Sequence, residues 1–152
     1  MSWYKHKSSW SFILARFLPR LLLLSLAWEI LQLPLYTLAS EPRVAWVAYA
    51  IAHCTVGDAM IGTAALVGAL TICQANEPAR WPRAKIVVWM TLLTVSYTIL
   101  SERYNVARGS WAYSSWMPII PLIGVGLSPL LQWLLIPIAA WRWAQNKKDP
   151  CS

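Results

Sequence analysis

Four apolar stretches, separated by short polar segments, account for most of this chain of 152 residues. They predict helices at about residues 17–38, 44–72, 85–101 and 118–141. At 1.5 Å per residue, a helix of about 20 residues crosses the roughly 30 Å of hydrocarbon in a bilayer. The pattern therefore predicts an all-α protein, an integral membrane four-helix bundle that forms a single transmembrane domain over residues 1–152.

The segments between the predicted spans differ in charge. Residues 1–16 mix aromatic and basic side chains, which is typical of a segment lying at the bilayer surface, and residues 102–117 form the predicted outer loop. Only Arg43, Arg103 and Arg108 fall on that outer side. The opposite side carries Lys5, Lys7, Arg16, Arg20, Arg80, Arg83, Lys85, Arg142, Lys147 and Lys148. Because basic residues favour the cytoplasmic side, we expect both termini in the cytoplasm.

Composition agrees with a membrane location. The chain is 58% hydrophobic and 12% charged, whereas soluble domains average about 25% charged residues. The net charge of +7 comes from basic residues at the ends of apolar runs, which favours orientation in a membrane over binding of nucleic acid. The sequence has no Gly-rich phosphate loop, dinucleotide fingerprint or heptad repeat. Membrane lipid is therefore the expected partner, and nucleic acid is excluded.

Ionisable side chains interrupt these apolar stretches. The segment His53-Cys54-Thr55-Val56-Gly57-Asp58 places a carboxylate near the middle of the second span. Burial at that depth costs at least about 2.5–3.5 kcal/mol, so such a residue indicates a functional site. His53 and Asp58 are five residues apart, about 140° around a helix, so they face different neighbours. The catalytic candidates are Glu29, His53, Asp58 and Glu102.

Polar residues recur at helical spacing on three spans. The faces are Ser25, Glu29, Gln32 and Tyr36 on the first, Thr91, Thr94, Thr98, Glu102 and Asn105 on the third, and Gly124, Ser128 and Gln132 on the fourth. Lipid cannot satisfy these groups, so each face turns toward protein or water. We expect Glu29, Gln32, His53 and Glu102 to meet in the outer half of one cavity, with Asp58 as its floor.

The outer loop is rich in aromatic residues and carries two arginines. It can act as a lid over the cavity, with the arginines binding phosphate. The substrate-binding candidates are Gln32, Tyr36, Arg103, Asn105, Arg108, Trp111 and Tyr113. Structural roles stay open for all of these groups: an interhelical hydrogen-bond clamp at Glu29, a helix terminus at Glu102 and an interfacial aromatic belt in the loop.

The four catalytic candidates are also chemically suited to bind Zn, Fe or Mn. The sequence lacks H-E-x-x-H and a paired E-x-x-H arrangement, however. We assign no metal ligands, and the sequence leaves the cofactor unknown.

Four short motifs carry a resemblance to a known group. They are Trp28-Glu29-x-x-Gln32-x-Pro34-x-Tyr36, His53-Cys54-Thr55-x-Gly57-Asp58, Ser101-Glu102-x-x-Asn105-Val106 and Trp111-Ala112-Tyr113-x-x-x-Met117-Pro118. Together they resemble an uncharacterised family of short four-span bacterial inner-membrane proteins. The resemblance implies a bacterial inner membrane and polar positions that belong together. It implies no activity.

Three functions remain open at this stage. The first is acid/base chemistry on a lipid or isoprenoid-like substrate, in an intramembrane site that opens to the periplasmic face. The second is a carrier or binding protein for protons, metal or a small solute, which with four spans is expected to be a homodimer. The third is an accessory subunit or assembly factor, whose polar groups bind helices together and whose partner is another membrane protein.

Overall fold

The computed structural model describes residues 2–146, so the predicted basic residues Lys147 and Lys148 lie outside the described residues. The chain is mostly helical (78%), which confirms the all-α class. Its four helices are α1 (Lys7–Leu35), α2 (Val44–Ile72), α3 (Arg83–Arg108) and α4 (Leu127–Gln145). The helices α1, α2 and α3 are each long and apolar enough to cross a membrane, whereas α4, which contains most of the predicted fourth span, is not among the candidate spans of the described residues.

Helix α1 begins earlier and ends earlier than the predicted bounds 17–38. It starts at Lys7, so most of the predicted interfacial segment 1–16 is helical, with one wide π-helical stretch at Phe12–Phe17. The physical reason is packing: Phe12 lies edge-on to Trp81 and Trp141, with ring centroids 5.2 and 5.3 Å apart. The helix stops before Tyr36, whose backbone is extended.

Helix α3 continues past Ser101, where the predicted span 85–101 ends, and takes up the first part of the predicted loop 102–117. It ends where Gly109 adopts a left-handed conformation (φ 71°) and its N–H bonds back to the helix, a common helix terminus. The drop in hydropathy after Ser101 reflects polar side chains both inside (Glu102) and on the exposed surface (Arg103 and Arg108), and it does not end the helix.

Helix α4 begins at Leu127, nine residues later than the predicted bound at 118. The segment before it forms a hairpin in which β1 (Ile119–Ile120) pairs antiparallel with β2 (Val125–Gly126). Its turn includes Pro121 and Gly124, and the glycine has a positive φ of 65° that L side chains rarely adopt. Hydropathy does not distinguish this apolar hairpin from an apolar helix. The residues that distinguish it are Pro121 and Gly124.

The four helices pack as a ring in which α1 contacts α2, α2 contacts α3, α3 contacts α4, and α4 contacts α1. Successive helices run antiparallel, because Phe12 near the start of α1 contacts Trp81, between α2 and α3, and Trp141 near the end of α4. The ring has two ends. Segments 36–43 and 109–126 form what we call the Tyr36 end, and the N-terminal turn, segment 73–82 and the end of α4 form the Trp81 end.

The two ends differ in packing. The main apolar core lies in the half toward the Trp81 end, where Phe17, Leu66 and Met90 are fully buried and the rings of Trp81 and Trp141 stack 5.9 Å apart. The half toward the Tyr36 end encloses polar side chains and a cavity instead. The apolar core toward the Trp81 end holds the helices together, and the cavity toward the Tyr36 end has space for a ligand.

Alanine substitutions at two glycines of α2 are expected to have opposite effects on stability. A Cβ on Gly62 would lie 2.6 Å from Leu21 Cδ2 and 3.4 Å from Trp133 Cζ3, whereas a Cβ on Gly57 would meet nothing within 4 Å. Overpacking destabilises a protein by about 1–3 kcal/mol, whereas replacing a helical glycine by alanine stabilises the helix by up to about 1 kcal/mol. We expect Gly62→Ala to lower the melting temperature in detergent and Gly57→Ala to preserve or raise it. Equal shifts for the two variants would contradict the close α1–α2 contact.

Candidate functional site

A cavity of about 840 Å³ occupies the half of the molecule toward the Tyr36 end. All four helices contribute a polar side chain to its wall: Glu29 from α1, Asp58 from α2, Glu102 from α3 and Gln132 from α4. The volume lies within the range of about 300–1,000 Å³ that is typical of small-molecule sites. The cavity is therefore large enough for an organic ligand.

Two carboxyl groups are bridged by one amide in the interior of this cavity. The Gln132 Nε2 donates to Asp58 Oδ2 at 2.6 Å and to Glu29 Oε1 at 3.2 Å. Gln132 and Asp58 are both buried. The two hydrogens of one amide nitrogen thus hold the carboxyl groups of α1 and α2 together, and we call Glu29 and Asp58 the carboxyl pair.

A second amide supports the bridge. Gln32 Nε2 donates to Glu29 Oε1 at 2.8 Å and to Gln132 Oε1 at 3.3 Å. Gln32 Oε1 in turn accepts a hydrogen bond from the Ser128 hydroxyl at 2.8 Å. Both oxygens and both nitrogens of the two glutamines therefore have partners, so the network has one favoured arrangement and orients the carboxyl pair.

The third carboxyl, Glu102, belongs to a separate hydrogen-bonded group. Its Oε2 accepts from the Tyr113 hydroxyl at 2.5 Å and from the Trp111 indole at 3.4 Å. The Tyr113 oxygen accepts from the Gly126 N–H at 3.1 Å. Burial, together with the hydrogen bond to Glu102, raises the pKa of Tyr113 above its usual range. The hydroxyl therefore stays protonated and acts as a donor to Glu102.

Backbone pairing fixes the segment that carries Trp111 and Tyr113. The Thr37 N–H donates to Ala112 O, and the Ser114 N–H donates to Leu35 O, each at 3.0 Å. The rings of Tyr36 and Tyr113 lie 5.5 Å apart. Burial, followed by the nearby negative charge of Glu102, raises the pKa of Tyr36, so this hydroxyl also stays protonated. The predicted lid is in this way tied to the end of α1.

An aromatic row follows the first turns of α2. The Trp46 and Tyr49 rings stack 5.5 Å apart, and Tyr49 and His53 stack 5.7 Å apart. All three residues line the cavity, although His53 is largely exposed. The Arg43 guanidinium lies 5.7 Å from the Trp46 centroid and bonds to Glu41 at 2.6 Å. That ion pair lowers the pKa of Glu41, which stays ionised at the rim.

The cavity wall is acidic. Among the described residues neither Lys nor Arg lines it, whereas Glu29, Glu41, Asp58 and Glu102 do. Of these, Glu41 has Arg43 as a partner. Across residues 2–146, no group of three or more His, Cys, Asp or Glu is arranged to hold a metal ion. The wall therefore offers acid/base groups and negative charge.

Most of the predicted site residues come together here. The cavity is lined by Glu29, Gln32, Tyr36, His53, Asp58, Glu102, Asn105 and Trp111, and Tyr113 bonds to one of them. The grouping differs from the prediction, which placed Glu29 with His53 and Glu102. In the structure Glu29 is linked to Asp58, through the amide of Gln132. The position of each residue along the packed helices decides this grouping.

The two predicted phosphate-binding arginines lie elsewhere. Arg103 is exposed beside a shallow depression that includes Gly124, and the Arg108 guanidinium donates to the Tyr104 hydroxyl at 2.6 Å on the surface. Both arginines are exposed on α3, whereas Glu102 on the same helix is buried.

Sequence reasoning missed Gln132 as a site residue, and with it Ser128, Trp46 and Tyr49. The signal was present for the first two, since Ser128 and Gln132 share a polar face with Gly124. This pattern gave no reason to assign Gln132 to the site rather than to helix packing. An amide carries no charge, so its burial is not costly enough to indicate a function.

Replacing Tyr113 with phenylalanine tests the group around Glu102. The change removes the acceptor of the buried Gly126 N–H and the nearest donor to Glu102, so we expect the free energy of unfolding to fall by about 1–2 kcal/mol. The measurement is denaturant unfolding in mixed micelles. Tyr104→Phe is the matched control, because its hydroxyl bonds to Arg108 at the surface. Equal effects of the two changes would rule out a structural role for the Tyr113 hydroxyl.

Comparison of the chain with protein-family models, with curated proteins and with solved structures gave no match.

Proposed function

We propose that the chain is an integral membrane four-helix bundle of a bacterial inner membrane, with both termini in the cytoplasm. Three helices of suitable length and hydropathy support insertion. Basic residues support the orientation, because among residues 2–146 only Arg43, Arg103 and Arg108 lie toward the Tyr36 end. The half toward the Trp81 end holds Lys5, Lys7, Arg16, Arg20, Arg80, Arg83, Lys85 and Arg142. In this orientation the cavity lies on the periplasmic side.

In this cavity the carboxyl pair performs acid/base chemistry on a lipid or isoprenoid-like substrate. The observation that carries the proposal is the Gln132 amide, which holds Glu29 and Asp58 at a single nitrogen. Two negative charges at such close range repel strongly in an apolar interior, so the pair holds one proton between its members. One member is then an acid and the other a base, which is the arrangement that proton transfer in both directions requires.

The proton balance of such a step is simple. The protonated carboxyl gives its proton to one carbon of a substrate double bond, where a C–H bond forms. The carboxylate then removes a proton from a neighbouring carbon, where a C–H bond breaks and the double bond reappears. The pair ends with one proton, as it began, and the substrate is an isomer of the starting compound. The step consumes no oxidant or reductant.

Deuterium transfer tests this function directly. Purified protein in nanodiscs would be incubated with a bacterial membrane lipid extract in D₂O, and the lipids analysed by mass spectrometry. We expect deuterium at carbon positions that do not exchange with solvent, and no such label with empty nanodiscs. Equal labelling with and without the protein would overturn the proposal.

A carrier function is the second candidate, and the position of Tyr36 favours it. Tyr36 lines the same cavity as Glu29 and Glu102, and its ring lies 5.5 Å from that of Tyr113, which bonds to Glu102. A chain of proton-binding groups thus leads from Glu102 to the carboxyl pair, as in proton-coupled transport. Proteoliposomes with an internal pH indicator distinguish this function. Proton flux that requires added solute supports a carrier, whereas lipid deuteration without flux supports the enzyme.

Gly57 provides a test of whether the ligand occupies the cavity. It lines the cavity, and a Cβ there meets no atom within 4 Å. In Gly57→Leu the added side chain takes space from the ligand, and a loss of about 1.4 kcal/mol of contact lowers affinity about tenfold. We therefore expect deuterium transfer at low substrate concentration to fall about tenfold, with Gly57→Ala showing a smaller loss. Full transfer by the leucine variant would place the substrate elsewhere.

A further inference from the structure

We infer that the cavity selects an amphiphilic organic cation: a molecule with one positively charged head group and an apolar chain. This inference rests on the proposed function of the same cavity and specifies the class of its ligand. Three features support it: the charge of the wall, the aromatic row on α2 and the size of the cavity.

Three carboxyl groups of the wall, those of Glu29, Asp58 and Glu102, bond only to neutral groups among the described residues. Glu29 and Asp58 are bonded to the amides of Gln32 and Gln132, and Glu102 to a phenol and an indole. In the described part of the chain, all of these partners are neutral. Buried carboxylates are costly unless a positive charge or a proton compensates them. A cationic head group supplies that charge, whereas a phosphate or carboxylate would add to the repulsion.

The aromatic row provides a surface for such a cation. Trp46, Tyr49 and His53 line the cavity on the α2 side, and because Trp46 and Tyr49 are 49% and 57% exposed, part of each ring stays accessible. Cations bind over the faces of Trp and Tyr within about 6 Å of the ring centroid. Arg43 already uses this mode, because its guanidinium lies 5.7 Å from the Trp46 centroid. The row is therefore chemically suited to a positive head group approaching from the rim.

Size distinguishes an organic cation from an inorganic one. A volume of about 840 Å³ exceeds what a bare ion needs, and no cluster of three or more His, Cys, Asp or Glu among residues 2–146 is arranged to hold a metal ion. Apolar and aromatic side chains such as Ile61, Tyr97 and Trp133 form other parts of the wall and suit an alkyl or isoprenoid chain. The inference also fits the chemistry, because a substrate that receives a proton from the carboxyl pair becomes a bound cation.

Isothermal titration can test this selectivity with three probes of equal chain length: octyltrimethylammonium, octanol and octanesulfonate. The protein would be held in nanodiscs of neutral lipid, with empty nanodiscs correcting for partition into the bilayer. We expect the ammonium probe to bind at least about tenfold more tightly than octanol, and the sulfonate to bind more weakly than octanol. Equal affinities, or tighter binding of the sulfonate, would overturn the inference.

Variants locate the binding. In the double variant Glu29→Gln with Asp58→Asn, the ammonium affinity should fall to that of octanol. Trp46→Leu, at a position that is 49% exposed, should lower the affinity for the ammonium probe several-fold and leave the affinity for octanol unchanged. Glu77→Gln removes a carboxylate at the Trp81 end, where Glu77 pairs with Arg80 at 3.1 Å, and should change nothing. Unchanged ammonium binding by both the double variant and Trp46→Leu would remove the site from this cavity.

The two proposals fail separately. If the ammonium probe binds selectively and no lipid is deuterated, the acid/base function is wrong and the ligand class stands. If lipids are deuterated and the probe shows no preference over octanol, the function stands and the ligand class is wrong.

Discussion

Deuterium transfer by the Asp58→Asn protein is expected to be at least about 100-fold slower than transfer by the wild type. Positioned acid/base groups contribute about 10²–10⁴ to a rate, and asparagine can neither give nor accept the proton. The variant should fold normally, because the asparagine oxygen can still accept the 2.6 Å hydrogen bond from Gln132. The slower deuterium transfer would therefore reflect the missing acid/base group, because the stability of the protein is expected to be unchanged.

The partner variant Glu29→Gln makes this prediction sharper. Because the two carboxyl groups share one function, removing either should cost nearly as much as removing both. Rates of lipid deuteration for the two single variants and the double variant would be measured in parallel, with Glu77→Gln as the carboxyl-to-amide control. Additive losses would indicate two independent groups, and a single variant that keeps wild-type activity would exclude its residue from catalysis.

Gln132→Leu is expected to lower the free energy of unfolding by about 3 kcal/mol. The side chain is 3% exposed and joins three helices, through bonds to Glu29 and Gln32 on α1 and to Asp58 on α2. Leucine fills a similar volume but leaves the carboxyl of Asp58 without this donor. Leaving a buried polar group unpaired costs about 1–3 kcal/mol, and more when the group is charged.

Denaturant titration in mixed micelles, followed by circular dichroism, would measure this loss. Gln145→Leu is the matched control, since Gln145 ends the same helix about 20 Å from Gln132 at 1.5 Å per residue. The control should change stability by less than about 0.5 kcal/mol. A Gln132→Leu protein as stable as the wild type would show that the amide bridge contributes nothing to holding α1, α2 and α4 together.

Helix periodicity accounts for what could be predicted about the site. Glu29 and Gln32 are three residues apart and share a face, and in the structure they bond at 2.8 Å. The predicted separation of His53 from Asp58 around α2 is confirmed as well, since Asp58 is buried and His53 is exposed. Such relations depend only on the angle between residues along one helix, which a sequence specifies.

Predicted element bounds were less accurate where hydropathy and helix geometry diverge. The apolar segment 118–126 forms a hairpin, and the polar segment 102–108 is helical. Hydropathy reports which solvent a residue prefers. It does not report whether the backbone can continue a helix through Pro121 and Gly124, or whether a polar residue such as Glu102 faces an interior cavity.

The sequence by itself determined that the chain is mostly helical, that its helices carry polar faces, and which side chains lie on each face. These properties follow from composition and from the local geometry of one helix. Only the tertiary structure decided that Asp58 pairs with Glu29 through Gln132, while Glu102 bonds to Tyr113 and the exposed arginines stay outside. Those pairings depend on how far each helix is shifted along its neighbours, and a shift of one turn, about 5.4 Å, would exchange the partners.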